Sequence, residues 1–335
     1  MANIKDIAKE AKVSIATVSR LLDPEKRELV HPDTRERIEK IIQKYRYTPN
    51  RAARALSKHS SDTIGMVTQF SADIVKSPYF QGLIAGLIGG MRPLHYDVKW
   101  IMIRDEEAKS CGLTELLQKH AVDGMVFLSW RLFPNLVKEI ERAEEDIPAV
   151  LINDYDRRVR CTIVYCENQG GVTQMVQHFK SKGYKSVGMV RGPEAFSPDA
   201  RARFIAFKTA AKDLGFSVVD DHFRRASRFD AEAGHETMSE WIRDGKLPRV
   251  IFCANDDLAA GAIEALKKKG IKIPDEVAIA GYDDSQHNSN LTTVRQPLET
   301  LGHAAIETLG KLITKKVKGP IQLKFEPELV IRETA

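Results

Sequence analysis

Near residue 60 the period of the hydrophobic residues changes, and that change constrains the fold more than any other feature of the chain. Up to Tyr47 the spacing is helical throughout. Ile4, Ile7, Ala8 and Ala11 recur on one helical face, Lys12-Val13 interrupts, and Ser14 can cap a second helix carrying Val18, Leu21 and Leu22. Two short helices joined by a tight turn form a helix-turn-helix layout. A third helix is expected from Asp33 to Tyr45, with Pro32 at its start and Ile38, Ile41 and Ile42 on its apolar face.

From Thr63 onward, short β-branched runs alternate with amphipathic segments. Strands are expected at Thr63–Gln69, Asp97–Ile103, Gly124–Leu128, Ala149–Ile152, Cys161–Tyr165, Ser186–Val190, Val250–Cys253, Val277–Gly281 and Ile321–Phe325. Helices are expected at Tyr79–Met91, Leu113–His120, Gly170–Lys182, Ala202–Leu214, Ala231–Asp244, Leu258–Lys269 and Leu298–Val317. Such alternation means βαβ units, parallel sheets and an α/β body. So many strands exceed one ordinary doubly wound sheet and point to two similar lobes. Thr48 to Asp62, rich in Ala, Ser and Arg, reads as a linker able to become helical.

Charge follows the same boundary. Residues 1–60 hold 14 Lys+Arg against 8 Asp+Glu, a net of +6, which leaves 37 against 38 for the remainder of a chain whose total is +5. Four cysteines (Cys111, Cys161, Cys166, Cys253) make no CxxC pair and no zinc-spaced cluster, so neither a metal nor a cofactor is expected, and they read as small buried hydrophobes of a reducing compartment. Met1 leads straight into a charged amphipathic stretch, and no apolar run approaches the ~20 residues of a membrane span. A cytoplasmic protein is expected.

The second helix of a helix-turn-helix enters the DNA major groove with its N-terminal residues toward base edges. That places Ser14, Ile15, Ala16, Thr17, Ser19 and Arg20 at or near DNA. Ile15 and Ala16 suit thymine methyls, and Arg20 suits a bidentate contact to guanine. Lys5, Lys9, Lys12, Lys26, Arg27, Arg35, Arg51 and Arg54 are candidate phosphate contacts.

Four motifs carry a family resemblance. Ile4 to Arg20 resembles the opening of the lac-repressor (LacI/GalR) family of bacterial transcription regulators, and Thr48-Pro49-Asn50-Arg51-Ala52-Ala53-Arg54-Ala55-Leu56 resembles its hinge. Cys253 to Ala262, and Ile273 to Asp284 followed by Leu291 to Gln296, resemble its effector-domain signatures. The resemblance implies a small all-α helix-turn-helix head (1–47), a hinge helix or linker (48–61) and an effector-binding and dimerisation body (62–335). The body would be two Rossmann-like lobes of periplasmic-binding-protein type, the N-lobe about 62–165 plus 297–324 and the C-lobe about 166–296 plus 325–335. It also implies a cytoplasmic homodimeric repressor on a pseudo-palindromic double-stranded operator, with Asn50, Arg51, Ala53, Arg54 and Leu56 at the minor groove and Leu56 wedged into the central base step.

For the cleft between lobes, the resemblance implies effector contacts from Phe70, Ser71, Asn153, Tyr165, Arg203, Phe229, Asn255, Asp283 and Gln296. A guanidinium and a carboxylate that each engage adjacent hydroxyls suit a sugar or sugar derivative. Ser197 stands six residues before Arg203, where purine-sensing members carry a second arginine, which favours the sugar. Two departures from the family pattern are local: Lys12 occupies a turn position usually held by Gly or another small residue, and the Asp23 to His31 loop is about two residues longer. The glycine-rich helix at Tyr79–Met91 is a candidate dimer face. Two rivals remain. A carbon-catabolite-type regulator would be controlled by a phosphorylated carrier protein meeting Arg295, Lys311, Lys315 and Lys316. An enzyme is not expected, since the chain has no GxGxxG after its first strand, no P-loop, no GxSxG and no HExxH.

Overall fold

The computed structural model describes residues 2–23, 26–48, 60–69, 76–94, 96–110, 112–128, 148–153, 160–194, 197–285 and 289–335. It divides into two compact units, Met1–Asp62 and Thr63–Ala335.

In the first unit, helices α1 (Ile4–Glu10), α2 (Ile15–Leu21) and α3 (Pro32–Tyr45) close on a small core of Ile7, Ala8, Ala11, Val18, Leu21, Val30, Ile38 and Ile41. Helices this short need their ends satisfied. Asn3 and Asp6 form a reciprocal capping box at the start of α1, and the Ser14 hydroxyl accepts from the Thr17 amide, 3.1 Å, at the start of α2. At the α1–α2 turn Lys12 is left-handed, φ 52°, while Val13 N–H reaches back to Ala8 O and Lys12 N–H to Lys9 O. This is a Schellman closure, which glycine favours and a Cβ strains. Lys12, at the turn position the family usually gives to a small residue, carries that strain.

The second unit contains β1 (Thr63–Gln69), α4 (Pro78–Met91), β2 (Asp97–Ile103), α5 (Asp105–Ser110), α6 (Leu113–His120), β3 (Gly124–Phe127), β4 (Ala149–Ile152), β5 (Ile163–Cys166) and α7 (Asn168–Ser181). It continues through β6 (Val187–Arg191), α8 (Pro198–Asp213), β7 (Phe223–Arg225), α9 (Ala231–Asp244), β8 (Val250–Cys253), α10 (Asp256–Lys268) and β9 (Ala278–Ala280). Last come β10 (Thr293–Arg295), α11 (Leu298–Ile313), β11 (Gln322–Phe325) and β12 (Glu328–Val330). The strands make two parallel sheets, ordered β11-β5-β4-β3-β1-β2 and β7-β6-β8-β9, and an antiparallel pair, β10-β12. The chain therefore leaves the first sheet after β5, returns to it with β11, and departs again to pair β12 with β10.

Apolar clusters lie on both faces of the first sheet, and a third surrounds the second sheet. The described cysteines, Cys161, Cys166 and Cys253, are buried. Among the described residues no helix is long and apolar enough to cross a membrane.

The main differences from the sequence expectations are at helix starts and in short polar elements. α7, α8 and α10 begin two to four residues earlier than expected, because Glu167, Ser197 and Asn255 cap amides ahead of the first apolar repeat. β7, β10 and β12 are three-residue strands, and α5 is too polar to carry a helical signal. The α4 glycines are also explained differently. Gly86 and Gly90 face α11, where a Cβ on Gly86 would collide with the Glu299 carbonyl, so these small residues serve packing within the chain. The outward residues of α4 are Gln81, Ala85 and Ile88.

Candidate functional site

Two surfaces gather the expected functional residues. On α2, Val18 and Leu21 are buried, so the opposite face is presented outward. Ser14, Ile15, Ala16, Ser19 and Arg20 are exposed, as is Lys5 on α1, whereas Thr17 is half-buried and spans 2.9 Å to the Ser14 hydroxyl. An isoleucine 44% exposed on so small a core is not part of its packing.

The basic residues separate into two sets. Lys26 pairs with Asp23 at 3.4 Å, Arg27 with Glu39, and Arg35 with Glu28 at 3.0 Å, so these three are engaged with acids inside the unit. Lys5, Lys9, Lys12 and Arg20 have no ion pair among the described residues, and all four lie on α1, α2 or the turn between them. The expected phosphate contacts therefore narrow toward that face. Asn50, Arg51, Ala53, Arg54 and Leu56 lie outside the described residues.

The second surface is a polar cluster at the carboxyl ends of the parallel strands, where open α/β sheets bind ligands. Arg203 on α8 is 4% exposed. Its Nε donates to Asn168 Oδ1 at 2.8 Å, its Nη1 donates to the Ala254 carbonyl at 2.7 Å and lies 3.6 Å from Asp283 Oδ1, and its plane stacks 3.8 Å from the centre of the Tyr282 ring. Gln296 Nε2 donates to Asp283 Oδ1 at 2.7 Å. Burial pushes the Asp283 carboxyl up to about 7, with Arg203 and the Gln296 hydrogen bond pulling the other way. Burial also works against the charge on Arg203, but Asp283, Tyr282 and Asp199 outweigh it and hold the guanidinium above its ordinary value. Asp283 has φ 121° and Asn153 φ 55°, strained backbone of the kind that concentrates at functional sites.

Asn153, just past β4, accepts from the Cys166 amide at 2.9 Å and donates to the Tyr79 hydroxyl. Phe229 lies against Gly192, where any Cβ would strike its ring. Asn255 is in place but its side-chain oxygen caps α10, accepting from Leu258 N–H at 2.9 Å, so it also has a structural duty. Tyr165 packs against the other apolar layer of the first sheet. Phe70 and Ser71 lie outside the described residues.

Sequence reasoning missed Asn168, Tyr79 and Asp199. Asn168 bridges Arg203 to Asp199, donating to Asp199 Oδ1 at 2.7 Å. A usable signal existed for each, since all three lie in the first turn of a helix that follows a strand or loop. The two effector-domain signatures also prove to be one lattice. The Asp256 amide donates to Tyr282 O, its carboxyl takes Thr293 Oγ1 and Ser285 N–H at 2.6 Å each, and Gly281 is required because a Cβ would meet that carboxyl. Burial, followed by the charge of Asp283, raises Asp256 well above the carboxylate range.

Comparison with known proteins finds matches to both units. The profile of bacterial regulatory proteins of the lacI family matches residues 3–50, and that of the periplasmic binding protein-like domain matches residues 176–335. The HTH-type transcriptional repressor PurR of Haemophilus influenzae is 30% identical over 100% of this chain and 98% of its own, and PurR of Histophilus somni is 29% identical over 100% and 99%. Among solved structures, the lac repressor dimer bound to operator and the anti-inducer ONPF superposes with a TM-score of 0.82 at 22% identity, covering 99% of this chain and 98% of that one. A complex of the transcriptional regulator CelR with cellobiose gives 0.71 at 22% identity, covering 100% of both chains.

Proposed function

The chain belongs to the lac-repressor family of bacterial regulatory proteins, and from that premise we propose that it is a transcriptional repressor that binds a pseudo-palindromic operator as a homodimer and answers to a small-molecule effector. In this reading residues 1–47 are the DNA-reading head, 48–61 the hinge, and 62–335 the effector-binding and dimerising body. α2 enters the major groove, Arg20 reads a guanine, and Lys5, Lys9 and Lys12 neutralise phosphates. Asn50, Arg51, Ala53, Arg54 and Leu56 fold as a paired hinge over the central minor groove, with Leu56 as its wedge.

The observation that carries the reading is the buried Arg203–Asp283–Gln296 cluster at the strand ends. A nearly inaccessible guanidinium and carboxylate are costly to hold without a ligand role, and replacing such a pair with apolar residues is often neutral or stabilising. The effector binds there, with Asn153 and Phe229 beside it, and is a sugar or sugar derivative. Ser197, whose hydroxyl caps α8 by accepting from Ala200 N–H at 3.2 Å, offers no second guanidinium for a purine.

A dimer face is supported by α4 and the edge strand β2. Ile88 is 58% exposed, and Val98 (45%) and Met102 (42%) flank Trp100, which packs in the same cluster as α4. The phosphocarrier alternative has less support. Arg295 is held by Asp284 at 2.7 Å and Glu328 at 3.1 Å, and Lys311 by Glu307. Fluorescence anisotropy on an operator fragment, with and without a panel of sugars, tests the proposal: at least one compound that binds the body must change operator affinity, and coupling in this class of switch is typically about 1–3 kcal/mol.

A further inference from the structure

Two helix ends in the head place a cation where the backbone favours glycine. After α1, Lys12 has φ 52°, and after α3, Arg46 has φ 46°. Arg46 repeats the closure already described at Lys12: Tyr47 N–H reaches Ile42 O at 2.9 Å and Arg46 N–H reaches Gln43 O at 3.1 Å. The body closes most of its left-handed helix ends with glycine. Gly183, Gly215, Gly245 and Gly270 follow α7, α8, α9 and α10, and among the described residues Ala121 and Lys315 are the exceptions. A cation near a helix C-terminus gains from the helix dipole, but Lys9 and Lys44 already occupy the last turns of α1 and α3, so the dipole does not require one at the strained position. Both side chains are also left unengaged. Lys12 and Arg46 are exposed and make no ion pair among the described residues, whereas Lys26, Arg27, Arg35, Lys40 and Lys44 are each paired with an acid.

We infer that Arg46 is a DNA-backbone contact at the junction of head and hinge, and that it and Lys12 form a matched pair of phosphate anchors kept in left-handed backbone at a cost to the head's stability. This rests on the repressor reading above and adds to its DNA-binding surface. Lys12 lies two residues before Ser14, the N-cap of α2, and Arg46 lies two residues before Thr48, where the hinge begins. Each Cα is therefore within about 7 Å of an element that reaches DNA in that reading. Strained residues persist where the surrounding structure over-determines them, and they gather at binding surfaces. The Arg46 fork can take two oxygens of one phosphate, and such contacts fix register on the duplex without reading sequence. The consequence is a trade: glycine at either position makes a better helix end and a weaker DNA binder.

The test uses the full chain and a mixed-sequence duplex of about 40 base pairs, because phosphate contacts operate on any sequence. Fluorescence anisotropy over a salt series gives the slope of log affinity against log salt, to which each phosphate contact contributes about 0.9. Lys12→Gly and Arg46→Gly should each reduce the magnitude of that slope by about 0.9 per chain bound. The Val13 amide in the first variant and the Tyr47 amide in the second, which close the two turns, should exchange hydrogen about fivefold more slowly as the strain is relieved. Lys12→Asn and Arg46→Asn, which tolerate left-handed backbone without charge, should lose the same share of the slope, and Arg46→Lys should keep most of it. Lys40→Gln removes the same charge from a lysine paired with Glu36 at 2.8 Å and should leave the slope unchanged. An unchanged slope in the glycine variants, an equal loss with Lys40→Gln, or turn amides that exchange no more slowly overturns the inference. The repressor reading survives those results as long as the unaltered chain binds the duplex in a salt-sensitive way, and it fails if the unaltered chain binds no duplex.

Discussion

The two helix pairs that brace the body's sheets are alike inside and unlike outside. α4 crosses α11 backbone to backbone, with Gly86 against the Glu299 carbonyl and Gly302 against the Leu83 carbonyl. α9 crosses α10 in the same manner, with Gly234 against the Leu258 carbonyl and Gly261 against the Ala231 carbonyl. In each pair a Cβ would occupy the space of a main-chain atom, which neither helix can yield by rotating a side chain. The outward faces diverge: α4 presents Ala85 and Ile88, whereas α9 presents Glu232, Glu236 and Glu240. Internal packing thus records a shared architecture, while the exposed face records whether a helix is meant for solvent or for a partner.

The largest effect is expected where the pairs are alike. Gly86→Leu and Gly261→Leu should each cost more than about 3 kcal/mol in urea unfolding, since overpacking against backbone exceeds the usual 1–3 kcal/mol of a forced side chain. A variant of either pair that unfolds normally breaks the likeness.

Next comes the cleft. Asp283→Ala should cost about 3–5 kcal/mol, because Arg203 is left buried and cannot shed its charge, while Arg203→Met should cost less because Asp283 can take up a proton. The same carboxyl sets a pH dependence. Its folded value of about 7 lies above the ordinary 3.8, so the folded chain keeps a proton that the unfolded chain has released. Its contribution to stability is full below about pH 4 and is lost as pH rises through about 7, a slope that denaturation series should show and Asp283→Asn should remove.

The divergent faces come third. Ile88→Asp should weaken self-association by about 100-fold in sedimentation experiments, the scale of a hot-spot loss, whereas Glu236→Ala on the corresponding helix should leave it within a factor of two. Equal effects would mean that exposure does not distinguish the pairs. The smallest effect is in the head, where Lys12→Gly should stabilise by about 1 kcal/mol by relieving a left-handed Cβ, read as a shift in Tm.

The two pairs also show what the sequence could and could not disclose. Their positions were legible from apolar period, and all four helices appear within a few residues of expectation, because burial imposes a strong repeat. Which neighbour the glycines of α4 would meet was not legible, since a small residue signals close approach without naming the partner. The cleft divides similarly. Arg203, Asp283, Gln296, Asn153 and Phe229 followed from the family resemblance and are found at the strand ends. Asn168 meets Arg203 and Tyr79 meets Asn153 across separations of 35 and 74 residues, which no local pattern encodes. In a strand adjacent side chains take opposite faces, so Tyr165 and Cys166 pack on opposite layers of the first sheet, Cys166 on the one shared with α4.

The central claim, that exposed α2 reads an operator for a symmetric dimer, is tested most directly by selecting duplexes from a random library with the full chain and repeating the selection with Arg20→Ala. The account predicts enrichment of a palindrome bound by two chains per duplex, and loss of preference at one position in each half-site with Arg20→Ala while salt-sensitive nonspecific binding persists. Enrichment of no palindrome, or an unchanged sequence preference in the Arg20→Ala variant, would contradict it.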